Sequence, residues 1–202
     1  MKPADNVTCA NYPCTDIAIN NYLIPTINVL PDAISIILIS EASPANLADA
    51  YYAGETALFA RTTVMAFQDA GLKVGSVKDI LARGVYMTTA IKCGKNGYGI
   101  STQTIQNCSP LLEKELDLSP NVKVFLLMGD VAIKSLNIIA RRNGEPRVIP
   151  AGSTYKIRAG EFHFRGKRVF PSYVQAGPAF FVEKSKRRMI AEDIRKAFDV
   201  IS

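Results

Sequence analysis

Four short apolar runs recur along this chain, and a helical pattern lies between each pair of neighbours. Ala33 to Ser40, Gly84 to Ile91 and Val122 to Met128 are almost continuously apolar and rich in β-branched residues, and Arg168 to Val174 is a shorter version. A strand that is apolar on both faces must be covered on both, which reads as a buried strand of a parallel sheet. Ala57 to Ala70, closed by Gly71, carries a helical pattern. So do Thr102 to Leu116, with Ile105, Leu111, Leu112 and Leu116 on one face, and Asp130 to Ala140. Lys184 to Ile201 repeats Met189, Ile190, Ile194, Ala197, Phe198 and Ile201 at helical spacing, a closing amphipathic helix. The alternation predicts an α/β protein: a three-layer α/β/α sandwich on a mainly parallel sheet of about four strands.

Arg147 to Phe164, β-branched and aromatic with Gly152 and Gly160 as punctuation, reads as a hairpin inserted before the last strand. With no repeat, low-complexity tract or linker, residues 1–202 read as one domain with an N-terminal cysteine-bearing segment. Its 48% hydrophobic content is enough for one substantial core and argues against disorder. The longest apolar run, Ala33 to Ile39, is too short to cross a bilayer, so no membrane span is expected.

The four cysteines fall in two clusters, Cys9 with Cys14 and Cys93 with Cys108. Met1 to Asn20 contains no uninterrupted apolar run of the secretory kind, which places the chain in a reducing cytoplasm. There, four thiolates suit zinc or an iron-sulfur cluster. The gaps, four residues in the first pair and fourteen in the second, fit zinc ribbons poorly, since zinc pairs usually show about two to four intervening residues. Four unrelated buried cysteines are the competing reading.

A net charge of +6 permits a polyanionic partner. The charge is clustered at Lys184, Lys186, Arg187 and Arg188, at Arg141 and Arg142, and at Lys92 and Lys95 beside the third cysteine. Each cluster alone has the composition of a solvated helix face; gathered on one side they make a phosphate-tracking surface.

Open parallel sheets bind ligands at the carboxyl ends of their strands. The loops expected there are Glu41-Ala42-Ser43-Pro44, Lys92-Cys93-Gly94-Lys95, Gly129-Asp130 and Pro171 to Pro178. Cys93 is expected directly after a strand and Cys108 on the next helix, so the metal ligands share this neighbourhood.

The order of these segments resembles the iron-sulfur, family four-like subgroup of the uracil-DNA glycosylase superfamily, over Cys9 to Phe198. That family opens with a cysteine pair and a strand ending in Gly-Glu-x-Pro-Gly, where this chain has Ser40-Glu41-Ala42-Ser43-Pro44. A strand ending in Thr-Asn-x-x-Lys-Cys is matched by Thr88-Thr89-Ala90-Ile91-Lys92-Cys93. The fourth cysteine on a helix is matched by Cys108, and Leu-Gly-x-x-Ala by Leu127-Met128-Gly129-Asp130-Val131-Ala132. The family's closing acidic helix resembles Glu192-Asp193-Ile194.

The resemblance implies a 4Fe-4S cluster on Cys9, Cys14, Cys93 and Cys108, with zinc as the alternative. In that family the cluster organises loops near DNA and is not the hydrolytic group, and the resemblance implies the same here. The implied activity is hydrolysis of the N-glycosidic bond of a base flipped out of DNA, because the target atoms are unreachable within the stack. Glu41 takes the place of the group that positions water and supports the cationic sugar, with a solvated turn or helix-capping role as the alternative. Thr89 stands where the family's base-reading asparagine belongs, and Tyr51, Tyr52 and Phe59 are candidates to stack on the base. Core packing is the competing use of each aromatic.

Three departures bear on activity. The family places a histidine after the last strand to stabilise the departing base anion, but this chain runs Phe170-Pro171-Ser172-Tyr173-Val174-Gln175-Ala176. Val174 falls opposite that histidine and cannot donate; Gln175 or Ser172 is the substitute donor. His163, the chain's one histidine, lies upstream. Thr89 lacks the paired donor and acceptor of an amide, and the first loop has lost both family glycines. Two functions follow from these facts. One is a base excision repair glycosylase acting on uracil or another deaminated base. The other is a catalytically reduced iron-sulfur relative that binds nucleic acid, with Lys184, Lys186, Arg187 and Arg188 on phosphate in either case.

Overall fold

The run Ile36-Ile37-Leu38-Ile39 is buried on both sides. Ile37 and Ile39 join one apolar cluster and Ile36 and Leu38 join another across the sheet, the two-residue period of a pleated strand. The computed structural model describes residues 1–97 and 99–202. Its strands are β1 (Ile17–Ala18), β2 (Ile36–Ser43), β3 (Val85–Lys95), β4 (Val124–Met128), β5 (Phe162–Phe164) and β6 (Lys167–Ser172). Its α-helices are α1 (Leu58–Asp69), α2 (Val77–Ala82), α3 (Thr102–Leu116), α4 (Asp130–Arg142), α5 (Thr154–Ile157), α6 (Ala179–Val182) and α7 (Lys184–Ile201).

The strands form one sheet in the order β1-β3-β2-β4-β6-β5. The inner four, β3, β2, β4 and β6, run parallel, with Ile37 opposite both Tyr86 and Phe125. β1 and β5 are short antiparallel edges. Helices α3 and α4 supply Ile105, Leu112, Leu136 and Ile139 to one face. The other is covered by Phe67 of α1, Ile80 of α2 and Ile190 and Ile194 of α7. This is the α/β sandwich expected, with six strands where about four were predicted. The two extra strands have two and three residues, too short to carry a period. No helix among the described residues is long and apolar enough to cross a membrane.

The expected Arg147 to Phe164 hairpin is corrected by the structure. The hairpin is β5 with β6, turning at Arg165 and Gly166, both at positive φ, while the stretch before it holds only the short helix α5 as regular structure. Its β-branched and aromatic residues are used elsewhere: Ile149 is core, and Ile157 and Phe162 pack against it. Two boundaries move as well. β2 runs through Ser43 and β3 through Lys95, so Glu41 and Cys93 lie inside strands instead of after them. α2 went unread, although Ser76 and Asp79 form a full capping box at its start.

Helix α3 carries Pro110 in its interior, which removes the hydrogen bond normally made to the carbonyl four residues earlier. Gln106 O is that carbonyl, and it accepts instead from Ser109 Oγ at 2.9 Å. The helix therefore continues unbroken past Cys108, and its register toward β3 is preserved.

Candidate functional site

The carboxyl ends of β2, β4 and β6 meet at Gly129, which has φ +111° and closes β4. A Cβ there would stand 2.6 Å from Val174 Cγ2 and 2.8 Å from both Cγ and Oε1 of Glu41. Only a residue without a side chain fits this conformation and this approach. Gly129 is also the N-cap of α4 and offers no capping side chain. Glu41 supplies the acceptor from the neighbouring strand, taking the Val131 N–H at 3.4 Å, a long bond at the positive end of the helix dipole. Its other oxygen lies 3.9 Å from Lys95 Nζ, and both side chains are part-exposed. The carboxylate is thus held at the mouth with a helix terminus on one side and a cation on the other.

Beside this mouth is a cavity of about 160 Å³ lined by Tyr51, Tyr52, Phe59, Thr88 and Thr89, with Leu23, Ser43 and Pro44. The three residues expected to read or stack on a base, Thr89, Tyr52 and Phe59, all face it. A dry cavity of roughly 150 Å³ accommodates one benzene ring. The Thr89 hydroxyl donates to Ile91 O at 2.9 Å, so toward a ligand it offers an acceptor. The Tyr52 hydroxyl donates to Met87 O at 3.1 Å and accepts from Met87 N–H at 3.0 Å. Its ring lies nearly parallel to Tyr86, at 15°, and the Phe59 ring leans on Tyr51 with centroids 5.4 Å apart. Burial pushes both the Tyr51 and Tyr52 hydroxyls far above the ordinary phenol range, so they stay protonated.

The two substitute donors are buried, with their side-chain donors already bonded inside the protein. Gln175 is fully buried and its amide donates to Tyr51 Oη at 2.7 Å and Thr63 Oγ1 at 3.4 Å, while its Oε1 has no hydrogen-bond partner among the described residues. Ser172 Oγ donates to Asp193 Oδ2 at 2.6 Å. Arg158 in turn bonds both Asp193 oxygens, at 2.7 and 3.2 Å. Burial raises the Asp193 carboxyl against the lowering effect of these partners. Val174, the residue facing Glu41, has nothing to donate.

All four cysteines are free thiols and line one small cavity of about 20 Å³, walled by Tyr12, Tyr22, Ile17 and Leu111. Cys93 and Cys108 are buried, and Cys9 and Cys14 half-buried. Two donors point at sulfur: Lys92 N–H at Cys108 Sγ, 3.3 Å, and the Asn107 amide at Cys14 Sγ, 3.7 Å. Burial first, then Cys108, Cys9 and Cys14, pushes the Cys93 thiol up to about 12. Among the described residues no three His, Cys, Asp or Glu side chains stand close enough to form a finished metal site. The convergence on one cavity and the unfinished geometry are both features of the structure.

Asp16 ties the N-terminal cysteine segment to α3, accepting from Ser101 N–H at 2.7 Å and from the Thr104 hydroxyl. Nothing in the residue order marks it for this role. Of the four basic residues expected on phosphate, Arg187 is bonded to Asp69 and Lys186 lies 2.7 Å from Glu183. Lys184 and Arg188 are exposed and line an open groove with Arg195. A larger cavity, about 500 Å³ between α1 and α2, shares Tyr51 and Tyr52 with the ring-sized one, and none of its walls is a strand residue. Ser43, a wall of the smaller cavity, follows Glu41 by two residues in β2, while Glu41 itself lines neither cavity.

A family model described as the uracil DNA glycosylase superfamily matches residues 27–195. The matched span contains Cys93 and Cys108 but begins beyond Cys9 and Cys14. No curated protein matches the chain.

Proposed function

This chain belongs to the uracil DNA glycosylase superfamily, and from that premise we propose that it releases a deaminated base from DNA by hydrolysis of the N-glycosidic bond. The observation that carries this reading is the ring-sized cavity lined by Thr89, Tyr52 and Phe59, with the Glu41 carboxylate at the adjoining strand ends. A base extruded from the stack enters the cavity. Thr89, with its proton spent on Ile91 O, accepts from a ring N–H. Deamination of cytosine or adenine creates such an N–H where the parent base has an acceptor, so an acceptor-only Thr89 favours deaminated bases.

Glu41 orients the attacking water and opposes the positive charge that develops on the sugar. The departing base anion is served less well. Val174 offers no hydrogen bond, and losing one preorganised donor to a developing anion costs about 10²–10³ in rate. Lys95, 3.9 Å from Glu41, is the nearest candidate cation to compensate in this reading, although it does not line the base cavity. The same valine, together with the inward-facing Gln175 and Ser172, supports the second reading, a nucleic-acid-binding relative with little turnover.

The four cysteines hold a 4Fe-4S cluster in this reading. Four thiols around one cavity and N–H donors aimed at two of the sulfurs support this reading; the cavity of about 20 Å³ and the absence of a ready metal-holding group among the described residues mean that the cysteine-bearing segment would have to open to admit it. A bound cluster supplies a cross-link between the N-terminal segment, β3 and α3. Lys184 and Arg188 contact phosphate directly, and Lys186 and Arg187 do so by exchanging their carboxylate partners.

The test is incubation of the purified protein with single-stranded and duplex oligonucleotides carrying uracil, hypoxanthine or xanthine, followed by alkaline strand cleavage. Cleavage that disappears in Glu41→Gln supports the enzyme. Salt-sensitive DNA binding without base release from any substrate assigns the chain to the binding reading.

A further inference from the structure

Lys92 lines the sulfur cavity and is bonded to residues that wall the ring-sized cavity. Its side chain is fully buried, and its Nζ meets the Glu115 carboxylate and donates to Thr88 Oγ1 at 2.9 Å and Thr89 O at 2.5 Å. Its backbone O accepts from Leu23 N–H at 2.6 Å and Ser43 Oγ at 3.1 Å. Leu23, Ser43, Thr88 and Thr89 are all walls of the ring-sized cavity. On the other side, the Lys92 N–H points at Cys108 Sγ, and the residue itself lines the four-cysteine cavity.

A fully buried ion pair is a poor source of stability, since desolvation of the two charges offsets most of their attraction. What this pair fixes is position. Glu115 accepts from Tyr86 Oη at 2.6 Å, from Thr88 Oγ1 at 2.9 Å and from Lys92. The ammonium has three partners, Glu115, Thr88 and Thr89, which uses all three of its protons. Cys108 and Glu115 lie seven residues apart on α3, two turns and therefore one face. The helix that carries the sulfur ligand thus grips the strand segment that forms the cavity wall.

We propose that Lys92 is a positioning residue that couples the sulfur centre to the base cavity: the arrangement of the four thiols sets the placement of Thr88 and Thr89. By linkage, occupancy of the cavity is felt at Cys108 in return. That the occupant is a base rests on the glycosylase reading; the coupling between the two cavities does not.

The experiment is a cross of two changes read by amide hydrogen exchange. Cys14→Ser perturbs the sulfur centre at its outer edge, and Lys92→Met with Glu115→Gln removes both buried charges while leaving Tyr86 and Thr88 an acceptor. In the Lys92 background Cys14→Ser is expected to speed exchange at Thr88 and Thr89 by about tenfold. In the double variant it changes exchange less than about twofold. Equal acceleration in both backgrounds, or none in either, overturns the coupling. A second arm titrates the purified protein with a single-stranded oligonucleotide carrying 2′-fluoro-2′-deoxyuridine and follows a shift in the exchange rates of the Lys92 and Cys108 amides. A shift in wild type that is absent in the double variant supports the reciprocal link. Binding to wild type without a shift overturns it. Failure of wild type to bind at all counts against the glycosylase reading, and the exchange cross then decides the coupling alone.

Discussion

Glu41 and Val174 approach each other over Gly129: Glu41 Oε1 and Val174 Cγ2 lie 2.8 and 2.6 Å from the point where a glycine Cβ would stand. A carboxylate and a methyl group therefore share the mouth, where the proposed base release would call for a carboxylate and a donor. This pairing defines what the site lacks.

Replacing the methyl by a donor is the direct test. Val174→His places an imidazole where the departing base anion forms, and a preorganised donor there is worth about 10²–10³ in rate. Single-turnover release of uracil from a single-stranded oligonucleotide should rise toward that factor. A rate at or below wild type, in a variant of unchanged thermal midpoint, would show that Val174 does not face the leaving group.

Gly129→Ala acts on the same contact from the other side. The added Cβ meets both neighbours inside 3.0 Å at a φ of +111°, and backbone strain of this kind costs about 1–3 kcal/mol. Expected are a lower thermal midpoint and loss of the water-positioning geometry at Glu41, hence a larger fall in kcat than in KM. A variant as stable and active as wild type would mean the glycine is not required.

The sheet was readable along the chain because its inner strands are largely buried on both faces, so they appear as mainly apolar, β-branched runs, unbroken in Ile36 to Ile39 and interrupted by Thr88 and Thr89 in β3. Residues 147–161 misled because their β-branched and aromatic side chains pack as an irregular cover, which leaves no period to separate them from a strand. The site was legible only where one residue's identity carries its role. Glu41 and Thr89 were named from the motifs of the resembling family and lie inside β2 and β3, and Tyr52 and Phe59 were named as aromatics following the first loop; Thr89, Tyr52 and Phe59 share the walls of one cavity. Lys92 looked like one more surface cation, since its burial depends on Glu115, 23 residues away on another element. Ser172 and Gln175 are polar residues in a loop by sequence. Their partners Asp193 and Tyr51 lie 21 and 124 residues distant and turn them inward.

The cysteine set predicts composition as well as spectrum. Four thiolates on one 4Fe-4S cluster give about four irons and four labile sulfides per chain, with broad visible absorption. Zinc gives about one metal per chain, no sulfide and no colour. Cys108→Ser, which removes the sulfur that receives the Lys92 N–H, should abolish the metal content. Undiminished iron in that variant, or its absence from protein purified without air, would remove the cluster from the account.

Acid stability tests the packing of the helix that holds Cys108. Glu113 accepts from Arg142 and Asn143 of the α4 end and from Arg165 of the β5–β6 turn. Burial raises its carboxyl, but the Arg165 and Arg142 hydrogen bonds outweigh that and hold it below its ordinary 4.5. A depressed folded value means the stabilisation is fully present above 4.5 and is lost as the pH falls through the lower value. The thermal midpoint of wild type should exceed that of Glu113→Gln at pH 7, and the gap should close as the pH drops below 4.5. The neighbouring Asp117 is shifted the opposite way, upward by burial, so Asp117→Asn should not reproduce that closure. A gap that stays constant down to acid unfolding would show that the arginine contacts to Glu113 add nothing to the fold.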